Sequence, residues 1–385
     1  MDHLIKAFYN VFGHQKDISF YFSPGRVNLI GEHIDYNGGL VFPAAINLGT
    51  YGLISLREDS KVRLFSLNFE SIGVIEVDLH NLTFKDEHHW ANYVKGILLE
   101  MLHQNHPIHQ GFDLLVQGTL PTASGLSSSA SLELLIAFMM NDLFSLNISR
   151  KDLAILSQHV ENHYMGMHCG IMDQLVIACG VKDKALLMKT NTLDIDIVNA
   201  HFDDYQWVIM NTNYPRKTTE SKYNQRRKEC QQALEIVKKT YDVHDLCELS
   251  IDELESIEAS FEDKIIFNRA RHAVTEQQRT LLAKEAMQKQ DAKTFAKLLN
   301  ASHASLKNDY EVTGAHLDFL VEGALLYGAI GARVTGAGFG GCAIALVHTS
   351  SMSDFSTHVY AFYKEKTGLS ADFYFVTFED GVKKL

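Results

Sequence analysis

"GTLPTASGLSSSASLELLIAFMMNDLF", residues 118–144, holds the pattern around which the rest of the chain can be arranged. A strand-like run ends at Leu120, Pro121 breaks it, and Gly125 permits a tight turn. Leu126, Ser127, Ser128, Ser129, Ala130 and Ser131 then lead into Leu132, Leu135, Ile136, Met139 and Leu143, an apolar stripe at helical spacing. Such a turn aims free backbone N–H groups and hydroxyls at one point, with the positive end of the helix dipole behind them, so a phosphate fits there. The same residues also read as a serine-capped buried helix, for which one serine would suffice. Gly-Lys occurs nowhere in the chain, which excludes a Walker A loop, and HRD and DFG are missing as well. The nucleophile-elbow pattern G-x-S-x-G fails because Ser129 stands where its second glycine is required.

Outward from this loop, 385 residues of 46% apolar composition exceed what one hydrophobic core usually supports, so two domains with interleaved ends are expected. A net charge of −12, with Lys and Arg dispersed, argues against nucleic acid and anionic membrane surfaces as partners. Five scattered cysteines without a C-x-x-C pair fit a reducing compartment and neither a zinc site nor a disulfide framework. "MDHLIKAFYNVFG" reads as an amphipathic helix with Leu4, Phe8 and Phe12 on one face, unlike a signal peptide. The longest apolar run, Leu134 to Met140, falls far short of the roughly 20 residues that span a bilayer. A cytoplasmic protein is expected.

The first half mixes strand-like alternation with short helices, whereas the second holds long helical patterns at 218–240, 270–290 and 293–306. Two strand-like pieces, "GGCAIALVH" and "DFYFVTF", flank a helix near 351–367. This layout predicts an α+β fold, with a soft boundary near residues 178–194 that divides the chain into 1–190 and 191–385.

Three further stretches carry chemistry. "PGRVNLIGEHIDYNGG", residues 24–39, sets Arg26, Glu32, His33 and Asp35 beside apolar Val27, Leu29 and Ile30, as surface caps or as a pocket lining. Asp173 lies inside "GIMDQLVIACG", where a carboxylate is costly to bury unless paired, bound to metal or used; the alternative is a helix N-cap. Gly336-x-Gly338-x-x-Gly341 formally matches a dinucleotide fingerprint, but a strand-like run follows it, so a Rossmann fold is rejected. Glu161 reads most simply as a solvated helix residue, Tyr223 as core, and Arg226, Arg227 and Lys228 as a solvated basic face. His168 and Cys169 lack the partner spacing of a metal site.

Taken together, the chain resembles the galactokinase family of the GHMP small-molecule kinases. "GRVNLIGEHIDYNGG" is similar to that family's sugar signature, "GLSSSAS" to the ATP-phosphate loop and "TGAGFGGC" to the C-terminal glycine motif. Further likeness runs through "WANYVKG", "GMHCGIMDQ", "ESKYNQRRKEC" and "SHASLKNDYEVT"; His168 stands where the family typically has proline. The resemblance implies a two-domain GHMP kinase fold, with a ribosomal-protein-S5-like N-terminal half, a ferredoxin-like C-terminal half and the active site in the cleft between them. It implies transfer of the ATP γ-phosphoryl group to the anomeric hydroxyl of galactose with Mg²⁺, by a monomer. Asp173 would act as base or orienter and Arg26 as charge stabiliser. Glu32, His33, Asp35, Gly170, Asp173 and Tyr223 would hold the sugar. Gly125 to Ser131 would cradle the phosphates, Trp90 would sit near the adenine, and Ser129 and Glu161 would hold the metal. Two rival readings are a sister kinase for N-acetylgalactosamine or arabinose, and a non-catalytic galactose sensor. The intact serine loop, Asp173 and Arg26 weigh against the sensor.

Overall fold

In the computed structural model, which describes residues 2–15, 17–121, 125–167, 169–215 and 219–385, two sheets share a central apolar layer. The larger sheet runs in the order Lys383–Lys384, Ser19–Asn28, Pro43–Leu56, Phe112–Gly118, Lys61–Ser66, Ile75–Asp78. All its neighbours are antiparallel except Lys61–Ser66 beside Phe112–Gly118. Strict alternation gives each strand two faces. Ile54 and Leu114 point into a core with Ile97, Leu135, Met139 and Leu175 from the helices Ala91–His103, Ser128–Leu143 and Met172–Cys179. Leu53 and Leu115 point the other way, where Leu4, Phe8 and Phe12 of the helix Asp2–Phe12 cover them, as the spacing of those residues predicts.

The second sheet is wholly antiparallel, in the order Ala329–Val334, Cys342–His348, Tyr205–Asn211, Asp372–Val376. Its strand Cys342–His348 is buried on both faces, which explains the unbroken apolar run after the glycine cluster. Ala343, Ala345 and Val347 face helices that contribute Cys230, Ala270, Leu317 and Phe355. Ile344 and Leu346 join Leu29, Phe42, Leu187, Phe295 and Phe378 between the two sheets. Leu29, Phe42 and Phe295 are completely buried there, and exposing each would cost about 2 kcal/mol, so the two halves are held together. Strand Lys383–Lys384 returns to the first sheet, pairing Lys384 with Tyr21, so the chain's end crosses a division at residue 190. The α+β expectation holds. The long helices fall at Thr219–Val237, Lys264–Gln288, Ala292–Asn308 and Met352–Thr367, close to their sequence patterns; residue 218, where the first pattern starts, lies outside the described residues.

Candidate active site

A β-bulge aims the first candidate side chain. The pairing of Ser19–Asn28 with Pro43–Leu56 shifts register between Pro24 and Arg26, where proline brings no N–H and Gly25 has no room for a side chain against Leu120 and Leu126. Arg26 thereby turns towards the helix Met172–Cys179. Its Nε donates to Asp173 Oδ1 and its Nη2 to Asp173 Oδ2, both at 2.8 Å, and its Nη1 donates to Gly125 O at 2.7 Å. Ser127 Oγ also donates to Asp173 Oδ2. The two residues of the pair stand 147 positions apart, and the Asp173 side chain keeps 28% of its surface open.

The serine loop departs from a capped helix. Ser127 precedes Ser128–Leu143 in the left-handed region at φ 64° and makes no side-chain cap, its hydroxyl being spent on Asp173. The first N–H groups of that helix therefore have no side-chain acceptor at the N-cap, as an anion site requires. Ser128 is exposed, Ser129 is half-buried, and Ser131 is buried, donating to Ser23 O at 2.8 Å. Leu126 and Ala130 are buried and anchor the loop from beneath. Residues 122–124, just before it, lie outside the described residues, as does His168.

Ser129 Oγ donates to Glu161 Oε1 at 2.7 Å, while Gln174 Nε2 donates to Glu161 Oε2 at 2.6 Å. Glu161 is not the solvated residue that its helical spacing suggested. It is buried, because a π-helical turn at Val160–Tyr164 rotates it inward. Burial raises its carboxyl above the ordinary range, and nearby Asp173 adds to the rise. Among the described residues no cluster of three or more His, Cys, Asp or Glu side chains could hold a metal alone. A hydroxyl and a carboxylate beside a phosphate-sized cradle instead suit Mg²⁺, which usually keeps waters and phosphate oxygens as its other ligands.

The stretch 24–39 becomes a strand end, then a turn with Gly31 and His33 at positive φ, then a single 3₁₀ turn at Asp35–Asn37. Glu32 is buried; its Oε2 accepts from Arg333 Nη2 at 2.5 Å and from Gly336 N at 3.0 Å. Burial raises the Glu32 carboxyl, and Arg333 and Arg26 oppose that rise. Asp35 is half-buried and pushed up to about 6 by desolvation and by the neighbouring Glu32 and Asp173. A Cβ on Gly170 would collide with Asp35 Oδ2, so only glycine lets the carboxylate approach there. Asp35, Gly170, Tyr223 and Arg227 line a cavity of about 470 Å³. Both ring nitrogens of His33 lie against protein partners, Nδ1 at 2.8 Å from Tyr36 OH and Nε2 at 3.2 Å from Ala337 O. A sugar hydroxyl would have to displace one of them.

Arg26, Asp173, Ser127, Gly125, Ser129 and Glu161 are thus joined by direct bonds or adjacency in the chain, and Glu32, Asp35, Gly170 and Tyr223 gather beside them. Trp90 is partly buried against the N-terminal core at the start of Ala91–His103. Arg226 corrects the expected basic face: it is buried, bonded to Tyr310 O, Glu311 O and Glu229, and only Arg227 and Lys228 are exposed. Tyr223 is partly exposed at the cavity rather than core. Two residues escaped the sequence reading. Arg333, fully buried in Ala329–Val334, anchors Glu32, and a charge inside "GARV" was the available signal. Glu133, also fully buried, has both oxygens without a partner among the described residues, and burial beside Glu161 raises its carboxyl well above the ordinary range. Its signal was a single acid within "LELLIAF".

Comparison with known proteins bears on this geometry. Residues 6–56 match the galactokinase galactose-binding signature, residues 92–181 the GHMP kinases N terminal domain, and residues 283–365 the GHMP kinases C terminal domain. Galactokinase of Enterococcus faecalis is 48% identical over 383 residues, covering 99% of each chain. Galactokinase of Lactococcus lactis subsp. lactis is 50% identical, covering 99% of this chain and 96% of its own. The crystal structure of Lactococcus lactis galactokinase complexed with galactose superposes with a TM-score of 0.95 at 49% identity, covering 100% of this chain and 99% of that one. Methanococcus jannaschii mevalonate kinase, 19% identical with a TM-score of 0.70 over 95% of this chain and 99% of its own, shares the fold.

Proposed function

The chain belongs to the galactokinase family of the GHMP kinases, and from that premise we infer that it transfers the γ-phosphoryl group of ATP to the anomeric hydroxyl of α-D-galactose, giving galactose 1-phosphate and ADP. The observation that carries the assignment of roles is the two-bond clamp of Arg26 on Asp173 beside the serine loop. Each carboxylate oxygen can accept two hydrogen bonds. Asp173 Oδ2 already takes Arg26 Nη2 and Ser127 Oγ, whereas Oδ1 takes only Arg26 Nε, so Oδ1 is the atom left to accept the hydrogen of the sugar hydroxyl. Arg26 holds that carboxylate in place and offsets the negative charge gathering at the reacting oxygens, and phosphoryl transfer depends chiefly on such positioning. Asp35 and Glu32 accept from the other hydroxyls, Glu32 through Oε1 because Oε2 is committed to Arg333. Gly170 and Tyr223 close the sugar pocket, and His33 shapes its wall. The N–H groups and hydroxyls of Gly125 to Ser131 receive the phosphates, and Trp90 flanks the adenine. Ser129 and Glu161 hold Mg²⁺, which when bound neutralises phosphate charge. The scattered cysteines without a C-x-x-C pair favour action in a reducing compartment, the cytoplasm, where the protein would work as a monomer.

The test is ADP release from purified protein with MgATP and a panel of galactose, glucose, talose, deoxygalactoses, N-acetylgalactosamine and arabinose. Galactose is expected to be best by a wide margin. Equal use of glucose, preference for N-acetylgalactosamine or arabinose, or no ADP with any sugar would overturn the reading.

A further inference from the structure

His33 ends a buried chain of hydrogen bonds whose members are contributed by four separate segments. A carbonyl oxygen only accepts, so the contact of His33 Nε2 with Ala337 O puts the ring proton on Nε2. The ring is neutral at working pH: burial depresses it to about 3, helped by His272, Arg226 and Arg333. Nδ1 must then accept, so Tyr36 OH donates to it at 2.8 Å. With that hydrogen committed, Tyr310 OH donates to the Tyr36 oxygen at 2.8 Å, and the Cys230 thiol donates to the Tyr310 oxygen at 3.0 Å. Asn37 Nδ2 donates both to Cys230 Sγ at 3.6 Å and to His33 O at 2.9 Å, closing the loop. Every proton in the chain points one way, towards the carbonyl of Ala337.

His33 and the carbonyl it meets belong to different halves of the proposed site. His33 sits between Glu32 and Asp35, in the sugar stretch. Ala337 belongs to the glycine loop, whose Gly336 N donates to Glu32 Oε2 and whose Phe339 N donates to Val312 O, two residues after Tyr310. A Cβ on Gly336 would come within 3.2 Å of Gly125 O, so the glycine loop also abuts the proposed phosphate cradle. We propose that Tyr310 is a positioning residue for phosphoryl transfer: by donating to Tyr36 it keeps the Tyr36 hydroxyl aimed at His33 Nδ1, backs the Nε2–H tautomer that the Ala337 carbonyl selects, and so helps lock the sugar stretch to the glycine loop beside the phosphates. Galactose and nucleotide binding are thereby coupled. The coupling part rests on the function proposed above; the tautomer part does not.

The experiment has two arms. Protein labelled with ¹⁵N-histidine, with the His33 ring signals assigned by a His33→Gln variant, is observed without ligand between pH 5.5 and 8.5. An unchanging Nε2–H pattern is expected, and in Tyr310→Phe the Nδ1 signal should move towards that of an acceptor without a donor. In the second arm, galactose affinity is measured with and without a non-hydrolysable ATP analogue. The analogue should change the affinity of the wild type at least about fivefold and that of Tyr310→Phe less than about twofold. A His33 ring that carries its proton on Nδ1 or titrates in this range overturns the proposal, even if Tyr310→Phe does not fold. So does a folded variant with wild-type coupling, or a wild type with none. Failure of the protein to phosphorylate any sugar would strike the function and leave the spectrum of the first arm standing.

Discussion

Asp173→Asn keeps the size of the side chain and removes its charge. Three donors converge on this carboxylate: Arg26 Nε at Oδ1, and Arg26 Nη2 and Ser127 Oγ at Oδ2. An amide has one oxygen, which would settle where two donors meet, leaving its NH₂ group against the N–H of Arg26 Nε. Arg26 is almost wholly buried; Nη1 would keep Gly125 O and Nη2 a neutral amide oxygen, while Nε would lose its acceptor. Loss of charge-assisted bonds costs about 1.5–3 kcal/mol, and an imperfectly paired guanidinium raises the total to about 3 kcal/mol. With an unfolding entropy of about 2.1 cal/mol/K per residue, 385 residues give about 0.8 kcal/mol/K, so the melting temperature should fall by about 4 °C. The protein stays folded, because the two cores and the layer between them do not involve this pair. Turnover should fall by at least about a thousandfold, within the range for a lost proton acceptor compounded by a misplaced cation. Calorimetry and ADP release on the same preparation supply both numbers. A folded variant within tenfold of wild-type turnover would refute the role given to Asp173, and global unfolding would refute the claim that the clamp is local.

Three other expectations follow from the same geometry. Ser129→Ala removes one of two protein oxygens beside the phosphates and should raise the Mg²⁺ concentration for half-maximal rate by at least about tenfold, without changing galactose binding measured by calorimetry; an unchanged Mg²⁺ dependence would remove Ser129 as a ligand. Asp35 must be ionised to accept from two hydroxyls. Its carboxyl stands at about 6, so galactose affinity should fall as the pH drops below 6, and the same raised value makes its contribution to stability disappear as the pH rises from the ordinary carboxylate range through 6. Asp35→Asn should flatten the affinity profile in that window, and a profile unchanged by the substitution would show that another group titrates. Gly170→Ala places a methyl group against Asp35 Oδ2, and the overpacking cost of about 1–3 kcal/mol should appear as a rise in KM for galactose of about tenfold or more with a smaller change in kcat. An unaltered KM would mean that Asp35 is not held where the sugar is read.

Periodicity and turn chemistry were legible in the amino-acid order because they are local properties. The stripes Leu4, Phe8, Phe12 and Leu132, Leu135, Ile136, Met139 became buried helix faces. Asp173 stood out because a carboxylate within an apolar run needs a partner, and the motifs identified the family to which the comparisons assign the chain. What the order of residues could not supply was the identity of distant partners. The clamp of Asp173 by Arg26 depends on a bulge that turns one residue of a strand out of register, and no local pattern states how far that turn carries a guanidinium. Glu161 departs from its local pattern because a single π-helical turn moves a residue from the solvent side to the core, and Arg226 because helical spacing gives its face but not the carbonyls of Tyr310 and Glu311 that meet it. The ring of His33 is held on its two nitrogens by Tyr36 and Ala337, the second 304 residues away and so beyond any local pattern. Sequence alone determined the family, the motifs that carry it and the elements that present them. The tertiary structure decided which of those side chains are already committed to one another, since hydrogen bonds are directional and short-ranged and their partners are set by how the sheets and helices pack.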